Sequence, residues 1–248
     1  MASMAVVTRR AMGTDTTTAT EARPIGDALA RLRLLQLVSP TLPIGGFTCS
    51  QGLEYAVEAG WVGDMEDLND WLVGLAEDNL AHLEVPLLAR LYRACQRGDV
   101  AALGRWGDYL LATRETRELR QEEQRRAAAL TRLLMDLGIP RAIPWRRALE
   151  TCQTAPYALA AAHWKIPLTD AALGYAWSWL ENRMAAAIKL IPLGQTDGQR
   201  LLLRLAERLP AVLETGLALP DDRIGASSPL AALASSLHET QYTRLFRN

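Results

Sequence analysis

The sequence predicts an all-α fold, a single-domain multi-helix bundle of about ten to twelve helices. Beyond residue 24, apolar residues recur every three or four positions almost throughout. Alternating strand-like runs are nearly absent, and Ala, Leu, Arg and Glu, all good helix formers, outweigh Val and Ile. Pro and Gly punctuate the periodic segments, and no fixed-period repeat indicates a solenoid.

Taken in order, the periodicity places helices near 26–38, 48–59, 64–81, 86–97, 99–112, 114–137, 144–150, 155–163, 169–190, 196–208, 210–217 and 228–237. Pro40 and Pro43 end the first, Gly60 the second, Gly98 the fourth and Gly138-Ile139-Pro140 the sixth, and Pro192 follows the ninth. The second helix opens on Thr48 and Gln51, spaced as a capping box. Leu53, Val57 and Trp61 then share one face, with Glu54 and Glu58 on the adjoining one, either tolerated on a plain surface helix or displayed to a basic partner. In the sixth, the charge run RETRELRQEEQRR (114–126) reads as a solvated face, with a partner surface as the alternative, and has a favourable Glu122–Arg126 pair, while Leu130, Leu133, Leu134 and Leu137 continue into the core.

The ninth helix carries two stripes. Leu173, Trp177, Leu180, Met184, Ile188 and Ile191 step by three or four as a core stripe. Ser178, Asn182, Ala185 and Lys189 form a polar stripe with a small residue at its centre, where a neighbour could approach closely. Lys189 and Lys165 are the only lysines in a chain whose Lys and Arg total 27. A second capping box, Thr196 with Gln199, opens the tenth helix. The tail ends in Tyr242, Leu245 and Phe246, too short to bury its apolar groups alone, so it either folds back or orders on a partner.

The chain therefore divides into a disordered tail (1–24), a helical domain (25–237) and a partner-docking tail (238–248). Its 248 residues suffice for a real core. A formal charge of −1 gives no pull toward nucleic acid or anionic lipid, and no apolar run approaches the ~18 residues of a bilayer span. Cys49, Cys95 and Cys152, odd in number and without CxxC spacing, fit a reducing cytoplasm rather than a disulfide framework.

Chemistry-bearing motifs are incomplete. Ser50 precedes Gly52, but G-x-S-x-G needs a glycine where Thr48 stands, and a strand before it. A hydrolase or thiol enzyme using Ser50 or Cys49 is the alternative reading; His82, His163 and His238 stand in no recognisable catalytic context. His82-Leu83-Glu84 lacks the P-C-x-x-C of a deaminase, and GQTDGQ (194–199) lacks the G-K-[ST] of a phosphate loop. No cluster has metal-ligand spacing.

Four stretches together resemble the UreF family of urease accessory proteins: LLQLVSPTLPIGGFTCSQGLEYAVEAGWV (34–62), RETRELRQEEQRR (114–126), YAWSWLENRMAAAIKLIPLGQTDGQRLL (175–202) and SSPLAALASSLHETQYTRLFR (227–247). The resemblance implies an all-helical, homodimeric, cytoplasmic adaptor that is not an enzyme. It implies bridging of UreD (also called UreH) to the GTPase UreG in a complex that delivers nickel to the urease apoprotein. No cofactor is implied on this chain, since nickel and GTP belong mainly to UreG. By motif, Glu54 and Lys189 face UreG, with Ser50, Gln51, Asn182, Gln195, Asp197 and Gln199 around them; His238, Tyr242, Arg244, Leu245 and Phe246 face UreD. The family usually has Ser-aromatic-Ser before Q-G-L-E, where this chain has Thr48-Cys49-Ser50.

Overall fold

The structure, a computed structural model, describes residues 25–46 and 49–246. The expected tail 1–24 and the capping residue Thr48 lie outside them. The described residues form helices and no strand. In chain order they are α1 (Ile25–Leu37), α2 (Leu53–Glu58), α3 (Met65–Leu75), a π-helical segment (Ala76–Glu84), α4 (Val85–Arg97), α5 (Val100–Ala112), α6 (Arg117–Asp136), α7 (Arg146–Leu149), α8 (Thr154–His163), α9 (Leu168–Leu190), α10 (Gln195–Ala206), α11 (Leu209–Ala218), a 3-10 turn (Asp221–Arg223) and α12 (Pro229–His238).

The core is built around α4, whose Leu87, Leu88, Leu91 and Ala94 are wholly enclosed. Its largest partner is α8, where Ala158, Ala160 and Ala161 let the two backbones come close; α5, α9 and α11 pack around the pair. The α1–α9 crossing depends on Gly174, since a Cβ there would stand 2.6 Å from Leu34 Cδ1.

The expected gap between 81 and 86 does not exist. Residues 65–97 run continuously because the turn widens into a π segment just before Pro86. Proline cannot donate to the carbonyl four residues back, and that carbonyl, His82 O, accepts the Gly225 N–H at 3.0 Å instead. The capping boxes also differ. Gln51 (φ 52°) and Gly52 (φ 88°) are left-handed residues ahead of α2, Gly52 is its N-cap and Gln51 lies outside the helix. The α10 helix begins at Gln195 with Gly194 as N-cap, so Thr196 caps nothing. Thr116 rather than Arg114 opens α6, its hydroxyl accepting from Leu119 N.

Burial corrects the expected stripes as well. Leu180, Met184 and Ile191 are buried and Trp177 and Ile188 pack partly against the core, but Leu173 is exposed. The true core face of α9 centres on Ala172, Tyr175, Ala176 and Trp179. In α6, Leu130 and Leu134 are buried and Leu137 is exposed. The charge run is only partly a solvated face: Glu115, Arg117, Arg120, Gln124 and Arg125 are exposed, but Thr116, Glu122 and Glu123 are buried.

Candidate interaction site at the C-terminal tail

The tail folds back. After α12 the chain turns at Thr240 and Gln241 and lays residues 242–246 across the start of α2 and the end of α9. Glu54 is the anchor. Its Oε1 accepts the Leu245 N–H at 2.5 Å, and its Oε2 accepts the Phe246 N–H at 3.0 Å and faces His238 Nε2 at 3.1 Å. The Nδ1 side of the same imidazole meets Glu118 Oε2 at 2.8 Å, and the second oxygen of Glu118 takes Arg244 at 2.6 Å. Gln241 donates to Glu58. Phe246 is buried, with the Lys189 ammonium 5.6 Å from its ring centroid.

Local sequence explains the arrangement. Gly52 permits the left-handed entry that seats α2 against α12, and no larger residue fits: a Cβ there would stand 2.9 Å from Ser235 N and 3.1 Å from Ala231 O. Ser235 in turn shares a buried 2.9 Å hydrogen bond with Thr116, tying α12 to the start of α6. Glu54 and Glu58, four apart on α2, tolerate each other because each meets a donor of the tail.

Two sets of residues expected on separate partner surfaces therefore meet. Glu54 and Lys189 touch His238, Leu245 and Phe246; Glu54 is not displayed but covered by the tail. His238 is likewise fully buried. Tyr242, Arg244 and Leu245 keep exposed side chains, and Lys189 is exposed. Gln195, Asp197 and Gln199 lie in the first turn of α10, where Asp197 pairs with Arg200 at 2.7 Å; none of the three takes part in the tail contacts.

Ser50, Gln51 and Asn182 belong to a second, inner cluster. Gln51 donates to Glu122 Oε1 at 2.8 Å and accepts from Arg183, whose guanidinium stacks 3.8 Å from the Trp179 ring centroid. Asn182 Nδ2 sits 3.4 Å from Ser178 Oγ beside Gly46. Ser50 and Cys49 line the cavity these residues enclose, and no histidine lines it among the described residues. His238 is instead held between two carboxylates, so the expected covalent-catalyst alternative gains no support from the geometry.

Behind that cluster, Arg114 lies between Glu84 (2.9 Å) and Glu123 (2.6 Å), and the Tyr175 hydroxyl donates to Glu84 at 2.6 Å. Burial pushes the Glu84 carboxyl up, but Arg114, Arg183 and the Tyr175 hydroxyl outweigh it and hold it below its ordinary value. Glu123 goes the other way: burial, with the negative charge of Glu84 nearby, outweighs Arg114. Arg183, taken from water without a close ion pair, falls to about 10. Glu84, Arg114, Glu118, Glu123 and Tyr175 are the members of this site that sequence reading did not assign. For Arg114, Glu118 and Glu123 the one signal is the density of acid and base in 114–126, which a solvated helix shares; Glu84 and Tyr175 lie outside that run.

Among the described residues no group of His, Cys, Asp or Glu could hold a metal ion, and no helix is long and apolar enough to cross a membrane.

Comparison with known proteins matches residues 62–206 to the UreF family model. Relatives carrying the name urease accessory protein UreF are found in Pseudomonas putida (strain W619), 55% identical over 89% of this chain and 98% of the relative. Others come from Alkalilimnicola ehrlichii, 52% identical over 92% of this chain and 99% of the relative, and Citrobacter koseri, 50% identical over 90% and 99%.

Proposed function

The chain belongs to the UreF family of urease accessory proteins, and from that premise we propose that it bridges UreD and the GTPase UreG as a non-catalytic, cytoplasmic adaptor in GTP-dependent nickel insertion. The observation that carries the reading is the junction of Glu54 with the tail. Three of the residues assigned to UreD by family motif, His238, Leu245 and Phe246, are hydrogen-bonded to Glu54, assigned to UreG, which gives a partner on one set a direct route to the other.

The exposed remainder of the tail supports this role. Tyr242, Arg244 and Leu245 of the tail and Leu230 and Leu233 of α12 are exposed, side chains suited to a protein partner. A homodimer is supported by α1, where Leu29, Leu32 and Leu35 are about 60% exposed, and by the exposed Leu173 of α9, the helix that α1 packs on. Nickel and GTP are assigned to UreG, and the urease apoprotein is reached through the complex.

The test is co-purification with UreD and UreG, using the full chain and a chain lacking residues 239–248. The full chain captures both partners. The shortened chain, if still folded, loses UreD and weakens toward UreG. Capture of neither partner by the full chain contradicts the adaptor reading.

A further inference from the structure

The cavity lined by Ile44, Gly46, Cys49, Ser50 and Gln51 together with α6 and α9 measures about 50 Å3, several times the roughly 10–15 Å3 that one water requires. Three buried polar atoms belonging to residues of its wall have no hydrogen-bond partner: Arg126 Nε, Trp179 Nε1 and Glu122 Oε2. Arg183 closes one side. It is stacked on Trp179, donates to Gln51 and, among the described residues, has no carboxylate within 4 Å, although Glu84 and Glu122 of the same wall act on its charge from farther off. Native proteins rarely leave buried polar atoms unmet, and three on one small cavity describe the complement of a missing molecule. The unmet set is two N–H donors, one of them cationic, and one carboxylate acceptor.

We propose that this cavity binds a small trigonal oxyanion that retains one proton, of the hydrogencarbonate class. Its two unprotonated oxygens accept from Arg126 Nε and Trp179 Nε1, and its O–H donates to Glu122 Oε2. The negative charge sits beside Arg183 and Arg126. Chloride supplies no donor for Glu122 and is repelled by it. Urea has the right shape and a donor, but brings no charge to Arg183. Water alone meets the hydrogen bonds without the charge. The site is independent of the tail junction and of the adaptor reading.

The experiment titrates hydrogencarbonate into the full chain at constant pH and ionic strength while the tryptophan indole N–H resonances are followed by NMR. Sodium chloride and urea serve as parallel arms. The expected result is a saturable shift of the one indole resonance that is missing in Trp179→Phe, with no such shift from chloride or urea. Affinity falls about tenfold in Trp179→Phe, which keeps a ring for Arg183 to stack on, and similarly in Glu122→Gln, each first checked for native helicity. No saturable shift at millimolar hydrogencarbonate overturns the proposal and leaves a water-filled cavity. An equal response to urea overturns the anion assignment, and undiminished affinity in a folded variant places binding elsewhere.

Discussion

The Glu54 carboxylate accepts the backbone N–H of Phe246 at 3.0 Å, across 192 residues of sequence. One side chain in the first turn of a six-residue helix thus fixes the far end of the chain. Both groups are largely withdrawn from water, where a hydrogen bond to a charged acceptor is worth about 1.5–3 kcal/mol.

Removing that acceptor should free the tail without unfolding the bundle. Glu54→Ala leaves the Leu245 and Phe246 amides and one side of His238 unmet, and the tail opens by about 3 kcal/mol more readily. Hydrogen exchange reads this directly. The amides of 245 and 246 exchange on the order of a hundredfold faster, while those of α4 and α8 keep their protection.

Gly52 should resist substitution for a separate reason. Gly52→Ala combines a positive φ with a Cβ against Ser235 N, so α12 must move. A loss of about 2 kcal/mol, or several degrees in Tm, follows, together with faster exchange in the tail.

The Arg114 ion cluster should dominate the stability of the interior. Arg114→Met strands Glu84 and Glu123 in a buried site, at a cost of about 3–5 kcal/mol. For a chain of this length that is roughly 10 °C in Tm, measurable by calorimetry.

Acid and alkali should act through identifiable groups. Glu84 is depressed in the folded state, so its contribution is present above the ordinary carboxylate range and is lost as pH falls through its folded value. Glu123 is raised and has the opposite sign, contributing most below the ordinary carboxylate pKa and less as pH rises. In Glu123→Gln the opposing contribution is gone, so unfolding free energy between pH 7 and 4 falls more steeply than in the native chain. Burial lifts the Cys95 thiol from 9.0 to about 12, so its contribution is complete below pH 9 and declines as pH rises toward 12. Thiol labelling at pH 8 should therefore spare Cys95, and also Cys152, until the chain unfolds, while the partly exposed Cys49 reacts.

The helices were legible because a 3.6-residue period survives in sequence, and the stops at Gly60, Gly98 and Gly138 appear with positive φ. The join at 76–84 was not: Pro86 reads locally as a helix start, and the Gly225 N–H that His82 O accepts comes from a distant loop. The residues of 114–126 misled for a related reason. Glu122 and Glu123 are buried because Gln51 and the Gln153 backbone N–H reach them from other elements while Arg114 folds onto Glu123, and composition cannot distinguish that from a wet face. The apolar residues of the tail are enough to predict a cover for it, whereas its hold by Glu54 is a contact no local pattern encodes.

The junction itself is tested most directly with Glu54→Gln, which keeps the size of the side chain and removes its charge. Binding of this variant to purified UreD and to purified UreG, each measured separately against the native chain, should show weakened capture of both, with native melting behaviour in the bundle. Loss toward only one partner, or toward neither, would contradict the claim that a single buried carboxylate joins the two surfaces.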